Sequence, residues 1–151
     1  AALVQYAKYT PTGARGFSPG VRAAYYGTMD KHEYVKFANE NTLVVSHCET
    51  ITCVNNLDEV LKVEGIDVIF IGPMDLSQSL GVIGQANHPL VLEAIDTVIK
   101  KTKAAGKAVG IVSSVANAAD YIERGVQYLL IGTDQGMVAA AGKNVISQLK
   151  G

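Results

Sequence analysis

Two acids stand where an apolar run gives way to a turn-rich loop. Asp75 lies in FIGPMDLSQSLG (70–81), just past a buried strand pattern, and Glu49 follows the run 43–45 in LVVSHCET. Parallel α/β folds gather their chemistry at the carboxyl ends of strands, so carboxylates in matching positions are the strongest chemical signal in this chain. Each acid also has an ordinary reading. Asp75 can serve as the N-cap of a helix over LSQS, and Glu49 can be a polar strand-end residue satisfied by the next helix. Two further reactive types sit beside Glu49: His47, and the cysteines Cys48 and Cys53. The cysteine spacing fits neither a zinc ribbon nor a disulfide scaffold, and both read as reduced packing residues, with a catalytic thiol as the alternative. His32 falls within a helix and is expected to be exposed. His88 precedes Pro89 at a helix start, and Asp134 in GTDQG reads as a cap of the last helix.

The elements that must position these residues follow from periodicity. Short β-branched runs at 43–46, 68–71, 108–112 and 128–131 read as parallel strands buried on both faces. Helices are expected after them at about 53–64, 88–105, 115–124 and 136–149. In the second, Leu90, Val91, Ala94, Ile95, Val98 and Ile99 repeat at helical spacing, with Asn87 as N-cap and Gly106 closing the end. Residues 30–41 form a further helix, capped by Asp30, with Tyr34, Val35 and Ala38 on one face. The opening residues, with Leu3, Val4 and Ala7, resemble the tail of a helix already under way, and no initiator Met precedes them. The Gly- and Pro-rich segment YTPTGARGFSPG is a loop, either a surface connection or part of a site.

Composition narrows the function classes. The 151 residues are 48% hydrophobic, enough for one sizeable core, so residues 1–151 are expected to be a single domain. Thirteen basic and fourteen acidic residues are interspersed, with a net charge of −1, which argues against nucleic-acid or anionic-membrane partners and for small-molecule chemistry. No run approaches the ~20 apolar residues of a membrane span, and no signal-peptide pattern opens the chain, so a cytoplasmic location is expected. Four βα units suit either an open doubly wound sheet or half of an eight-stranded barrel, and periodicity does not choose.

YTPTGARGFSPGVRAAYYG, the acid in SHCET, and GIDVIFIGPMDLSQSLG followed by HP together resemble the HpcH/HpaI aldolase family of the phosphoenolpyruvate/pyruvate barrel superfamily. The resemblance runs from Tyr9 to the C-terminus. It implies the C-terminal half of a (β/α)8 TIM barrel, with 9–29 as an active-site-type loop. It also implies a class II aldolase, a carbon–carbon lyase cleaving a 4-hydroxy-2-oxo acid to pyruvate and an aldehyde. Glu49 and Asp75 fall on the family's metal ligands. Two carboxylates leave roughly four octahedral positions open, which suits Mg2+ or Mn2+, with Co2+ or Zn2+ as alternatives. A hard cation chelated by the keto and carboxylate oxygens lowers the cost of the pyruvate enolate.

By the same resemblance, Gly72 permits close backbone approach, and the main chain of Pro73, Met74 and Asp75 presents amides to the pyruvate carboxylate. His47 stands where the family usually has Gln facing the substrate; the alternative is a packed strand-end side chain. Met74 replaces a small Ala. Ser18 and Arg15 match a loop closing over the site, and Arg15 has a structural role as its alternative. The family's general-base histidine and pyruvate-binding arginine come from earlier strands, outside these residues. A chain complete as it stands is therefore expected to be weakly active or inactive; a fragment would have an aldolase parent. Unpaired edges of a half-barrel invite homo-oligomerisation or a missing N-terminal half-barrel. Two alternatives remain: a noncatalytic half-barrel that binds metal or ketoacid or serves as an assembly module, and a citramalyl-type lyase of the same superfamily.

Overall fold

The structure, a computed structural model, describes residues 2–150. Helix α1 (Ala2–Ala7) leads through a loop and a 3₁₀ segment (Arg22–Gly27) to α2 (Lys31–Asn41). Four parallel strands follow, β1 (Val45–His47), β2 (Val68–Ile71), β3 (Ala108–Ser113) and β4 (Tyr128–Ile131), in the order β1-β2-β3-β4. Between them lie α3 (Ile51–Asn55), α4 (Leu57–Leu61), α5 (Pro73–Ser79), α6 (Pro89–Ala104) and α7 (Val115–Glu123), and α8 (Asp134–Lys150) comes last. Sequential parallel order is what a barrel wall requires, so of the two architectures left open the half-barrel is the one formed.

Alternation along the strands divides the sheet into two faces. Ile69, Ile71, Val109 and Ile111 point towards the helices and join Val91, Ala94, Ile95, Val98 and Ile99 of α6 in the main core. Burying each large aliphatic side chain contributes about 1.5–3 kcal/mol, so this helix–sheet seam is the chief source of stability. On the other face, strand register lines up His47, Phe70, Gly110 and Tyr128 in one row. Phe70 lies 5.2 Å from the His47 ring and meets Tyr128 edge-on at 5.7 Å. Gly110 makes this possible, because a β-carbon there would stand 2.5 Å from Phe70 Cδ2 and 3.0 Å from Tyr128 Cδ1. Val112, Tyr128 and Leu130 remain exposed on this face, and no residue of α8 is buried.

Several element ends differ from expectation, each for a local reason. The first strand begins at Val45, because Val44 N–H donates to Asp67 Oδ2 (2.7 Å). The helix expected over 53–64 starts earlier, where Thr50 Oγ1 accepts from Cys53 N–H, and breaks in two at Asn56. His88, not Asn87, caps α6, its Nδ1 accepting from Leu90 N–H at 3.2 Å. Pro89 drives the residue before it into extended backbone, which is the cap conformation. Thr133 Oγ1 accepts from Gly136 N–H and takes the capping role expected of Asp134, which is the first residue of α8. Asp30 caps α2 as expected, accepting from His32 and Glu33 N–H.

A smaller cluster holds the opening segment. Tyr9, Ala24, Tyr34 and Ala38 pack together with Met29 and Val35. Lys8 Nζ donates to Asn39 O (2.8 Å) and Thr42 O (2.6 Å), placing a cation at the carboxyl end of α2.

Gly110→Ala should lower stability by about 1–3 kcal/mol, as overpacking between two rings does, with Phe70→Leu in the same chain recovering part of the loss in urea denaturation. The Thr102 hydroxyl is fully buried in α6 with no hydrogen-bond partner. Thr102→Val removes that desolvated group at nearly constant shape, and calorimetry should show a gain of about 1 kcal/mol.

Candidate metal and ketoacid site

The acids are brought together by how β1 and β2 end. Cys48 N–H donates to Phe70 O (2.8 Å), extending the ladder one residue beyond β1 and leaving Glu49 level with the end of β2. Beyond it, Ile51 N–H at the start of α3 donates to Ser79 Oγ at the end of α5 (2.9 Å), tying the two strand exits to each other. On the β2 side Gly72 precedes α5, Pro73 is its first residue, and Leu76 N–H closes the turn on Gly72 O at 2.9 Å. Buried Leu76 and Ser77 anchor this turn. Ser77 Oγ donates to Met74 O and accepts from Gly84 N–H. Asp75 therefore sits in the first turn, exposed, and is not the N-cap.

The two carboxylates converge over Gly72. A β-carbon at that glycine would lie 2.8 Å from Glu49 Oε2, 3.3 Å from Glu49 Cβ and 3.4 Å from Asp75 Oδ2. His47 joins them through Nδ1, 3.0 Å from Glu49 Oε2. Its ring is steadied against Phe70, and its side chain is 57% exposed. Among the described residues no group of three or more His, Cys, Asp or Glu is placed to hold an ion, and the groups that could serve as donors here are the two hard carboxylates. Such a donor set fits an oxygen-preferring divalent cation with most of its coordination sphere open.

The remaining expected residues separate into near and far. Pro73 and Met74 line a cavity with Gly72 and Asp75. Pro73 has no N–H, so of the main chain around Pro73, Met74 and Asp75 the amides at the start of α5 are those of Met74 and Asp75. The Arg15 guanidinium lies 4.9 Å over the Tyr9 ring, in the smaller cluster. No hydrogen bond or ion pair among the described residues joins Arg15 or Ser18 to the acids. Burial pushes the Cys48 thiol well above the usual cysteine range, which keeps it neutral and unsuited to nucleophilic work. His32 is exposed, as expected.

Sequence reading missed part of the site. The cavity beside Asp75, about 290 Å3, is also lined by Asn87, Asn117 and Tyr121. Asn117 and Tyr121 share a face of α7 at helical spacing, but no spacing rule links them to Asn87, which comes from the loop before α6.

Comparisons with known proteins bear on the family and the fold. The profile described as HpcH/HpaI aldolase/citrate lyase matches residues 1–141. A 5-keto-4-deoxy-D-glucarate aldolase of Salmonella paratyphi C (strain RKS4594) is 35% identical over 151 residues, covering 99% of this chain and 58% of the relative. The crystal structure of an HpcH/HpaI aldolase from Desulfitobacterium hafniense DCB-2 superimposes with a TM-score of 0.86 at 29% identity, covering 97% of this chain and 57% of that one. Citrate synthase SbnG aligns with a TM-score of 0.82 at 26% identity, over 97% and 56% of the two chains. The chain thus spans a little over half the length of the relatives it matches.

Gly72→Ala tests the convergence directly. The added methyl should displace the Glu49 carboxylate and break its hydrogen bond to His47, moving the His47 ring 15N resonances, while stability falls by about 1–3 kcal/mol. Unmoved His47 resonances would contradict the packing described.

Proposed function

The chain belongs to the HpcH/HpaI aldolase/citrate lyase family, and from that premise we propose that the protein carrying it is a divalent-metal-dependent class II aldolase. It would cleave a 4-hydroxy-2-oxo acid to pyruvate and an aldehyde. The observation that carries this reading is the convergence of Glu49 and Asp75 over a glycine at adjacent strand ends. These residues would hold Mg2+ or Mn2+, with Co2+ or Zn2+ as substitutes. When bound, the cation supplies Lewis-acid stabilisation of the negative charge that develops on the 2-oxo oxygen.

The chain's own groups have distinct tasks in this reading. The Met74 and Asp75 amides receive the pyruvate carboxylate at the positive end of α5, and the absence of a side chain at Gly72 lets the ligand approach the backbone. His47 holds the Glu49 carboxylate in place and faces the substrate; the exposed Met74 side chain forms an apolar wall. Cleavage breaks the C3–C4 bond: the C4 hydroxyl loses its proton as the aldehyde carbonyl forms, and C3 gains one to become the pyruvate methyl. The base for that proton, and the arginine balancing the carboxylate, are assigned to residues outside this chain, in an N-terminal half-barrel or a second subunit of a homo-oligomer. Arg15 and Ser18 enter through closure of the 9–29 loop over the site. A cytoplasmic setting suits the free cysteines, and no described helix is long and apolar enough to cross a membrane.

Mn2+ titration followed by electron paramagnetic resonance tests the site. Glu49→Gln and Asp75→Asn should each weaken Mn2+ binding at least about tenfold, equivalent to about 1.4 kcal/mol. In the complete protein, metal-dependent exchange of pyruvate methyl protons into D2O should fall in parallel. Mn2+ binding unchanged in both variants would remove the assignment, and binding without proton exchange would favour the noncatalytic metal-binding alternative.

A further inference from the structure

Behind the acid pair, the row of rings on the sheet face away from the helices has no task in the aldolase reading. We propose that Tyr128, on β4 and three strands from Glu49, is a positioning residue for the acid pair: it braces Phe70, which steadies the His47 ring, which orients the Glu49 carboxylate for a divalent cation. The proposal rests on the metal site of that reading.

The contacts are continuous from one end of the row to the other. Tyr128 meets Phe70 edge-on with ring centres 5.7 Å apart. Phe70 lies against the His47 ring at 5.2 Å, the two planes tilted by 33°, and His47 Nδ1 stands 3.0 Å from Glu49 Oε2. The same carboxylate oxygen faces Asp75 across Gly72.

A gap in the row makes the brace necessary. His47 is exposed, and among the described residues its ring hydrogen-bonds to Glu49 alone and meets one other ring, that of Phe70. Phe70 in turn sits opposite Gly110 in the strand register. With no side chain at that position, β3 sets no limit on how far the Phe70 ring can turn across the row. Tyr128 fills that side, in the edge-to-face arrangement that aromatic pairs prefer. No hydrogen bond among the described residues uses the Tyr128 hydroxyl, so the ring alone carries the role.

Groups that orient a metal ligand typically contribute about tenfold or more to affinity, and a brace two contacts further out should contribute less, about fivefold. Mn2+ titration of the complete protein, with 15N spectra of the metal-free form, tests this. Tyr128→Leu should weaken Mn2+ binding about fivefold and move the His47 ring resonances, whereas Tyr128→Phe should do neither. A double-mutant cycle separates positioning from general stability: in His47→Ala, where the chain of contacts is cut, Tyr128→Leu should cost no further affinity. An equal loss in that background, or affinity and resonances unmoved by Tyr128→Leu, would overturn the proposal. Failure of the metal reading itself is distinguishable, because Mn2+ binding would then be unchanged by Glu49→Gln.

Discussion

Parallel pairing of β1 with β2, in the register that sets His47 opposite Phe70, is the constraint on which the site depends. Parallel neighbours leave a sheet at the same edge, so residues just past their ends are brought side by side whatever their distance in sequence. Glu49 and Asp75 meet because one more backbone hydrogen bond carries the ladder to Cys48 and because Gly72 offers no side chain between them. A slip of one residue would turn His47 and Phe70 towards the helices and carry Ile69 and Ile71 out of the core. The apolar seam with α6 therefore enforces the geometry of a polar site that it never touches.

The two faces of the sheet carry different obligations. The helix-facing side is closed and dense, and its cohesion comes from aliphatic side chains at helical spacing on α6. The opposite side is finished only near β2, where Phe70 fills the room left by Gly110 between His47 and Tyr128. Towards β4 it stays open, with exposed Val112 and Leu130 and with α8 making no buried contact. In a closed barrel the inward side chains stack in layers drawn from alternate strands, and the row from His47 to Tyr128 lies on the face that would turn inward.

Much of this was legible in the residues. The run forming β2 and the repeat forming α6 are strong because local preference and burial agree there, whereas β4, expected to be buried on both faces, forms with no buried residue; Gly106, with φ of +71°, closes α6 in the left-handed conformation its position suggests. The pairing of the acids was legible because both follow strand patterns. What escaped was set by competition among side chains at element ends: Asn56 breaking a helix, His88 capping ahead of a proline, Thr133 displacing Asp134. Asn87 and Asn117 escaped for another reason. An exposed asparagine, whether in a loop like Asn87 or in the first turn of a helix like Asn117, looks like any other until the fold decides what it faces. Arg15 was read from a motif, and in this structure its partner is the Tyr9 ring.

The hydrogen bond between His47 Nδ1 and Glu49 fixes more than a rotamer. An ionised carboxylate offers only acceptors, so the shared proton belongs to Nδ1, and a neutral imidazole is thereby held in one tautomer. Its Nε2 is then a bare lone pair. A glutamine amide in this position would offer a donor and an acceptor that can exchange places by a flip, but His47 has no such freedom. Towards a ligand, the neutral ring therefore presents an acceptor, able to take a hydrogen bond from a hydroxyl, and only the protonated ring presents a donor.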